Sequence, residues 1–158
     1  MTGVMMSVET IRMALGHLQD DPENETVWNE LAEVVTAPDN GVSNADVERF
    51  LGAARAKHEQ RREWGAVARL LELEISFAAG TAVEAPMQAE LARIYQEELV
   101  DATRAVAAYN RLLEIRKEDP TALEAIENDE AKRAKWTDLV TRYVSEADVG
   151  EPTFRASM

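Results

Sequence analysis

The sequence has no cysteine, and this absence excludes disulfide bonds and thiolate metal sites. Aromatic residues make up only 6% of the chain, so the regular spacing of its three tryptophans is informative. No apolar run approaches the roughly 20 residues that a membrane-spanning helix requires. Residues 1–8 have neither the basic segment nor the long apolar segment of a secretory signal. We therefore expect a soluble, cytoplasmic protein that does not insert into a membrane.

Basic residues are also scarce relative to acidic ones. The chain of 158 residues has 30 acidic and 17 basic side chains, a net charge of −13. The charge is spread evenly, with −7 in residues 1–80 and −6 in residues 81–158. A field of this sign repels phosphate backbones, so we expect no nucleic-acid partner. It is compatible either with an ordinary solvated helical surface or with a basic partner.

The residues that are abundant favour helices. Ala, Leu, Glu and Arg dominate, and no sustained alternation of β-branched and aromatic residues predicts a strand. We expect an all-α protein of about eight helices, because apolar residues recur three and four positions apart between turn signals. The predicted helices cover residues 7–19, 24–36, 44–60, 63–79, 85–98, 101–117, 121–133 and 136–147. The fourth, with the widest apolar face, is expected to be the most buried.

The helices follow an internal repeat of 36 residues. Trp28 and Trp64 are 36 apart, and Trp136 lies 72 further on. Each tryptophan is expected to open the second helix of a hairpin and to pack back on the first. One unit is out of register, since the expected position holds Val100 and the apolar pattern resumes at Ala102. A second series has the same spacing: Leu15, Leu51, Met87 and Leu123.

This repeat predicts a right-handed α-solenoid of about four helix-turn-helix hairpins, because one hairpin cannot bury its apolar face alone. The array is expected to occupy residues 1–149, with residues 150–158 a tail or the truncated start of a further unit. An uncapped end of such an array could pair with another copy. Gly16 and Gly52 are also 36 apart, which either reflects close helix approach in two units or is coincidence.

Part of the chain resembles the tetratricopeptide repeat. Tyr95, Asp101, Ala105, Tyr109, Leu113 and Pro120 follow that family's succession of aromatic, small, aromatic and proline residues. The segments 89–95, 101–105 and 109–114, and the beginnings of the helices at Trp64 and Trp136, are similar to repeats in large bacterial scaffold proteins. The resemblance covers residues 44–147. It implies a protein that binds protein or peptide segments and catalyses no reaction.

The sequence offers little for catalysis or for cofactor and metal binding. His17 and His58 have no metal-ligating residue four positions away, and no phosphate loop or nucleophile motif occurs. We therefore expect no enzymatic activity, no cofactor and no metal, and His58 is interpreted as a helix-end residue near Glu59. Four basic residues, Arg55, Lys57, Arg61 and Arg62, either complement the carboxyl end of a helix or form an anion site.

Two functions fit these observations. The first is a protein–protein interaction scaffold, with a partner lying along the first helices of the hairpins; Glu48, Arg55, Gln88 and Tyr95 are the predicted binding residues. The alternative is an acidic chaperone or sequestering subunit for a basic client. Its affinity for the client would fall steeply with salt.

Overall fold

The computed structural model describes the backbone of residues 2–37 and 41–157, and the side chains of residues 7–37 and 41–147. The described residues form seven α-helices and no β-strand, which confirms the predicted all-α class. The helices are α1 (Thr2–Asp20), α2 (Glu25–Thr36), α3 (Asn44–Gln60), α4 (Trp64–Ala78), α5 (Glu84–Arg93), α6 (Ala102–Ile115) and α7 (Pro120–Ser157). α5 continues directly into a π-helical turn, Ile94–Glu98.

Short polar side chains set the beginnings of four helices. Asn24 accepts a hydrogen bond from the backbone N–H of Val27 at 3.2 Å and caps α2. Ser43 caps α3 in the same way, Asp101 caps α6, and Asp119 accepts from a backbone N–H in the first turn of α7. Each cap satisfies a backbone donor that has no partner within its own helix.

Consecutive helices pack as three hairpins, α1 with α2, α3 with α4, and α5 with α6. The links between the members of each pair are short, which makes the two helices antiparallel neighbours. The hairpins contact one another through α1 and α3 and through α4 and α5, and α7 packs on α6.

Two adjoining hydrophobic clusters form the core, and α4 contributes to both. Ala66 and Leu70 face the cluster made with α1, α2 and α3. Val67 and Leu71, the adjacent positions, face the cluster made with α5, α6 and the start of α7. Eight residues of α4 are buried, more than the other described helices contribute, as the width of its apolar face predicts.

The predicted fourth hairpin does not form. A break between residues 133 and 136 was expected, but α7 runs without interruption from Pro120 to Ser157. The segment contains no helix breaker, since Lys132, Arg133, Ala134 and Lys135 are all good helix formers. The Asp129 carboxylate also binds Arg133 one turn later at 3.0 Å. The described residues therefore form seven helices, arranged as three hairpins and one long helix.

The tryptophan prediction is confirmed at Trp28, confirmed at Trp64 only for the start of the helix, and wrong at Trp136. Trp28 lies in the first turn of α2, is 3% exposed, and donates its indole N–H to the backbone carbonyl of Pro22 at 2.8 Å. Trp64 begins α4, but it packs against the second cluster, made with α5, α6 and the start of α7, instead of back on α3. Trp136 lies inside α7 with 67% of its surface exposed. Even spacing along the chain thus did not give Trp136 an equivalent environment.

Other features of the repeat are kept in part. Leu15 and Leu51 are buried, but Leu123 is 42% exposed. α6 begins at Ala102, where the shifted register placed it. A Cβ added at Gly16 would meet no atom within 4 Å, and one at Gly52 would meet only a carboxylate oxygen of Glu74 at 3.4 Å. The shared spacing of these glycines therefore does not mark close helix–helix approach.

The first and last helices are longer than predicted. α1 begins at Thr2 rather than Ser7, because Met5 and Met6 are good helix formers and no breaker separates them from the rest of the helix. At the other end, the backbone of residues 150–157 continues α7 instead of forming a tail. This part of the helix includes Pro152, which has no backbone N–H to donate.

Candidate functional site

A groove of about 1350 Å³ lies on the outer side of α4. The corner between α1 and α2 forms one wall. α5, its π-helical turn and α6 form the other. The lining residues are Asp21, Pro22, Glu23, Glu25, Glu63, Trp64, Gly65, Ala66, Ala68, Arg69, Glu72, Gln88, Leu91, Tyr95, Leu99, Arg104, Ala107, Ala108 and Arg111.

One face of α4 forms the floor of the groove. Trp64, Ala68 and Glu72 are spaced four residues apart and so lie along the same side of the helix. Gly65 and Ala68 have little or no side chain, so the floor between the two walls stays open. α4 can serve both purposes because its other positions, Leu70 and Leu71 among them, are buried in the core.

The π-helical turn places Tyr95 in the lining of the groove. In this turn the N–H of Leu99 donates to the carbonyl of Ile94 at 3.0 Å, five residues back instead of four. The ring of Tyr95 is 2% exposed, and its hydroxyl donates to the Glu72 carboxylate on α4. This hydrogen bond joins the far wall of the groove to its floor.

Tyr95 is held in its neutral form. Burial raises the pKa of its hydroxyl, and the neighbouring negative charge of Glu72 raises that pKa further. The guanidinium carbon of Arg104 lies 5.8 Å from the centre of the Tyr95 ring and partly offsets these effects. An acid, a phenol and an arginine from three helical segments therefore meet at one point.

Arg69 fixes the acidic wall to the floor. Its two terminal nitrogens donate to the two carboxylate oxygens of Glu25 at 2.8 and 2.9 Å. Its guanidinium carbon lies 4.8 Å from the centre of the Trp28 ring. The hydrogen bonds from Arg69 lower the pKa of the Glu25 carboxyl, so this pair remains charged well into the acid range.

The opposite wall contains a second arginine–carboxylate pair. Arg111 on α6 donates to both oxygens of Glu84 on α5, at 2.8 and 3.0 Å, and also binds Glu114 at 2.7 Å. Glu84 is 2% exposed, so Arg111 supplies the countercharge that a buried carboxylate requires.

Charges of opposite sign occupy opposite sides of the groove. Asp21, Glu23 and Glu25 lie at the corner of α1 and α2, whereas Arg104 and Arg111 lie on α6. In total, five carboxylates and three guanidinium groups line the groove. A bound segment would meet an acidic side and a basic side, with apolar contacts from Trp64 and Leu91 between them.

His58 is a structural residue beneath one end of the groove. It is 1% exposed, and its Nδ1 lies 3.0 Å from a carboxylate oxygen of Glu63, the residue before α4. His58 lies in the last turn of α3, as the sequence predicted, but it is buried and its partner is Glu63 rather than Glu59. This contact closes the turn between α3 and α4.

The four predicted binding residues separate into two pairs. Gln88 and Tyr95 line the groove. Glu48 is exposed on α3, and Arg55 binds Glu74 at 2.6 Å and Glu59 at 3.2 Å; both lie outside the groove lining. The sequence favoured the first helices of the hairpins as the binding surface. The groove includes one of these, α5, but α4, α6 and the start of α2 also form it.

The cluster of basic residues at the end of α3 has structural partners. Arg55 pairs with Glu74, and Arg61 donates to the backbone carbonyl of Gln19 at the end of α1 at 2.7 Å. Arg62 has a positive φ of 58°, and its backbone N–H donates to the carbonyl of Glu59 at 3.0 Å at the end of the helix. These contacts favour the helix-end interpretation over an anion site.

Sequence reasoning missed the charged pairs that organise the groove. Glu72 and Tyr95 are 23 residues apart, and Arg69 and Glu25 are 44 apart. The only available signal was the presence of Glu72 and Arg69 on a largely apolar helix.

Within the described part of the chain, no group of three or more side chains is arranged to hold a metal ion. Nor does any helix found there combine the length and apolar character needed to cross a bilayer.

These features define an all-helical protein with a groove lined by charges of both signs. No protein-family model matches the chain. Neither a curated protein nor a solved structure matches it.

Proposed function

We propose that the groove binds an extended or helical segment of a partner protein, and that the chain is a non-catalytic interaction scaffold. The observation that carries this proposal is the size and lining of the groove. At about 1350 Å³ it exceeds the ~300–1,000 Å³ of typical small-molecule pockets. It is also open along α4, with apolar contacts at its centre and charges on its two sides, which suits a peptide chain.

The helical architecture supports the same proposal. Three consecutive hairpins pack side by side, and α4 of the second hairpin lies between the other two. We propose that they are units of a tetratricopeptide-like solenoid, a type of array that offers its concave surface to protein segments. Fold alone does not define a function, so the proposal depends on the groove.

A test requires variants that close the groove without disturbing the core. Ala107 is exposed on α6 and lines the groove, so Ala107→Trp would fill it. Asn110→Trp is the matched control, because Asn110 is exposed on the same helix but does not line the groove. Both variants should unfold at nearly the wild-type denaturant concentration.

A displayed library of random peptides would supply the ligand. We expect wild-type protein and Asn110→Trp to enrich the same peptides, and Ala107→Trp to bind them at least about tenfold more weakly, a loss of roughly 1.4 kcal/mol. Enrichment of peptides that Ala107→Trp binds as well as wild type would overturn the assignment to this groove. Failure to enrich any peptide above an unrelated helical protein would overturn the scaffold proposal itself.

The second candidate, an acidic chaperone for a basic client, is favoured by the excess of carboxylates over guanidinium groups in the groove. Salt distinguishes it from a scaffold with an apolar groove. If a basic client is the ligand, the enriched peptides should carry several Lys or Arg residues and should lose affinity steeply between low and physiological salt. Affinity that is insensitive to salt would exclude it.

A further inference from the structure

The apolar face of α7 extends beyond the helix that covers it. Ala122 is buried, and Ala125, Ile126 and Asp129 are partly buried where α7 packs on α6. These residues recur three and four positions apart and so share one face of the helix. The same face continues past α6, but from Glu130 to Ala147 every side chain is exposed.

Five large apolar residues lie on this uncovered part, and together we call them the α7 stripe. The stripe consists of Trp136 (67% exposed), Leu139 (41%), Val140 (42%), Tyr143 (65%) and Val144 (56%). Their spacing of three and four residues is that of a seam between two helices. A stripe continuous with an existing helix–helix contact is therefore shaped for another helix.

We propose that the α7 stripe pairs with the α7 stripe of a second copy of this chain, and that the two helices run antiparallel. A second copy supplies the same apolar surface, which makes the contact self-complementary about a twofold axis. The axis would pass near Val140, in the middle of the stripe. This contact is separate from the groove and does not depend on the function proposed for it.

The charges that flank the stripe select the antiparallel arrangement. Lys132 and Arg133 precede the stripe, and Glu146 follows it. An antiparallel partner places Glu146 of the second copy beside Lys132 and Arg133 of the first, and the reverse pair forms by symmetry. Parallel helices in register would instead place Arg133 against Arg133 on the face of contact, which like-charge repulsion disfavours.

The area of the stripe is sufficient for a modest dimer. Two aromatic side chains about two-thirds exposed, each with roughly 150–250 Å² of surface, and three aliphatic ones would bury on the order of 400–500 Å² per copy. The total of nearly 1,000 Å² is at about the lower size limit of specific interfaces. We therefore expect a dimer that dissociates on dilution.

The mass of the full chain in solution tests the proposal directly. Light scattering during gel filtration should give the mass of a dimer at high protein concentration and a falling mass on dilution. Trp136→Glu/Tyr143→Glu should be monomeric throughout. Its matched control is Ala134→Glu/Ser145→Glu, which adds the same two charges to the opposite face of α7 and should remain a dimer. All four side chains are exposed, so neither variant is expected to impair folding.

Two further variants test the orientation. Glu146→Lys should weaken dimerisation about tenfold, because each attraction becomes a repulsion, and Lys132→Glu/Arg133→Glu/Glu146→Lys should restore it. Because the natural chain has no cysteine, Ala147→Cys and Arg133→Cys can be introduced singly and mixed. They should form a mixed disulfide with each other in preference to disulfides between identical copies.

Three results would overturn the proposal. The first is a monomer at every concentration, which would mean that a second copy does not occupy the stripe. The second is a dimer that Trp136→Glu/Tyr143→Glu leaves intact, which would place the interface elsewhere. The third is efficient cross-linking of Ala147→Cys to itself, which would indicate parallel helices.

Discussion

The guanidinium of Arg69 lies over the indole of Trp28, with its central carbon 4.8 Å from the centre of the ring. Arg69 belongs to α4 and Trp28 to α2, so this contact crosses between the first two hairpins. The same guanidinium binds both carboxylate oxygens of Glu25. One arginine thus holds the start of α2, with its acidic residues, against the floor of the groove.

Arg69→Met removes this contact while keeping an apolar side chain of similar length. We expect a loss of about 1 kcal/mol in the free energy of unfolding from the interaction with the Trp28 ring. Urea denaturation measures it. Arg49→Met is the control, because Arg49 stacks on its own neighbour Phe50 and joins no two helices. That variant should lose at most about 0.5 kcal/mol, and an equal loss in both would contradict the role given to Arg69.

Arg55 and Glu74 form a half-buried ion pair between α3 and α4. Glu74 is 3% exposed; burial raises the pKa of its carboxyl, and Arg55 counteracts that shift. Arg55→Met leaves the carboxylate buried without its main countercharge, so we expect a loss of about 2 kcal/mol at neutral pH. Arg55→Met/Glu74→Met should recover most of it. Glu59→Gln, which removes only the more exposed partner of Arg55, is the control and should lose at most about 0.5 kcal/mol.

The direction of the pKa shift also predicts a pH dependence. Without Arg55, the pKa of Glu74 rises further, so the folded state takes up a proton more readily than the unfolded state. The stability of Arg55→Met should therefore fall as the pH rises through the range above 4.5, the ordinary pKa of this carboxyl. Urea denaturation at several pH values should show the deficit narrowing toward acid pH. A deficit that does not change with pH would contradict this account.

Val100 follows the π-helical turn with a φ of +50°, a conformation that β-branched residues rarely adopt. It is 81% exposed, so its side chain contributes little packing in return. Val100→Gly should raise the free energy of unfolding by about 1 kcal/mol. Arg62→Gly is the companion variant, with a φ of +58° at the end of α3, and a gain there as well would show that backbone strain is the cause. Chemical denaturation compares them, and a loss of stability in Val100→Gly would contradict the prediction.

Tyr95 and Tyr109 should titrate above the ordinary tyrosine range. Burial raises the pKa of both hydroxyls, with the charge of Glu72 adding to it at Tyr95 and that of Glu97 at Tyr109. A raised folded pKa means that the stability from these groups is present below about pH 10 and is lost as the pH rises further. Phenolate absorbance in a Tyr143→Phe background reports these two residues alone. Ionisation of either near pH 10 in the folded protein would contradict the burial argument.

The hairpins could be predicted from the sequence because their signals are local. Asn24 and Ser43 cap α2 and α3 through bonds to residues three positions on, and the glycine at position 80 adopts a positive φ after α4. The fourth hairpin was wrong because the position of Trp136 was interpreted as a helix start. No proline or glycine lies between Pro120 and Trp136 to end the helix.

The groove was less predictable, since its geometry depends on residues far apart in sequence. Tyr95 and Gln88 were predicted as binding residues, and they line the groove. Glu72, which accepts the hydrogen bond of Tyr95, was not identified, because its position on a largely apolar helix does not show which residue 23 positions away it contacts. The π-helical turn that orients Tyr95 was also missed, since its hydrogen bonds differ from those of an α-helix by only one residue.

The sharing of α4 between the two hydrophobic clusters has a consequence for how the molecule melts. Leu70 belongs to one cluster and Leu71 to the other. If one cluster unfolds, α4 loses the contacts that hold it on that side, and the other cluster is disturbed as well. Loss of α4 removes contacts on both sides at once. The indoles of Trp28 and Trp64, one in each half, should accordingly report a single cooperative transition at the same temperature.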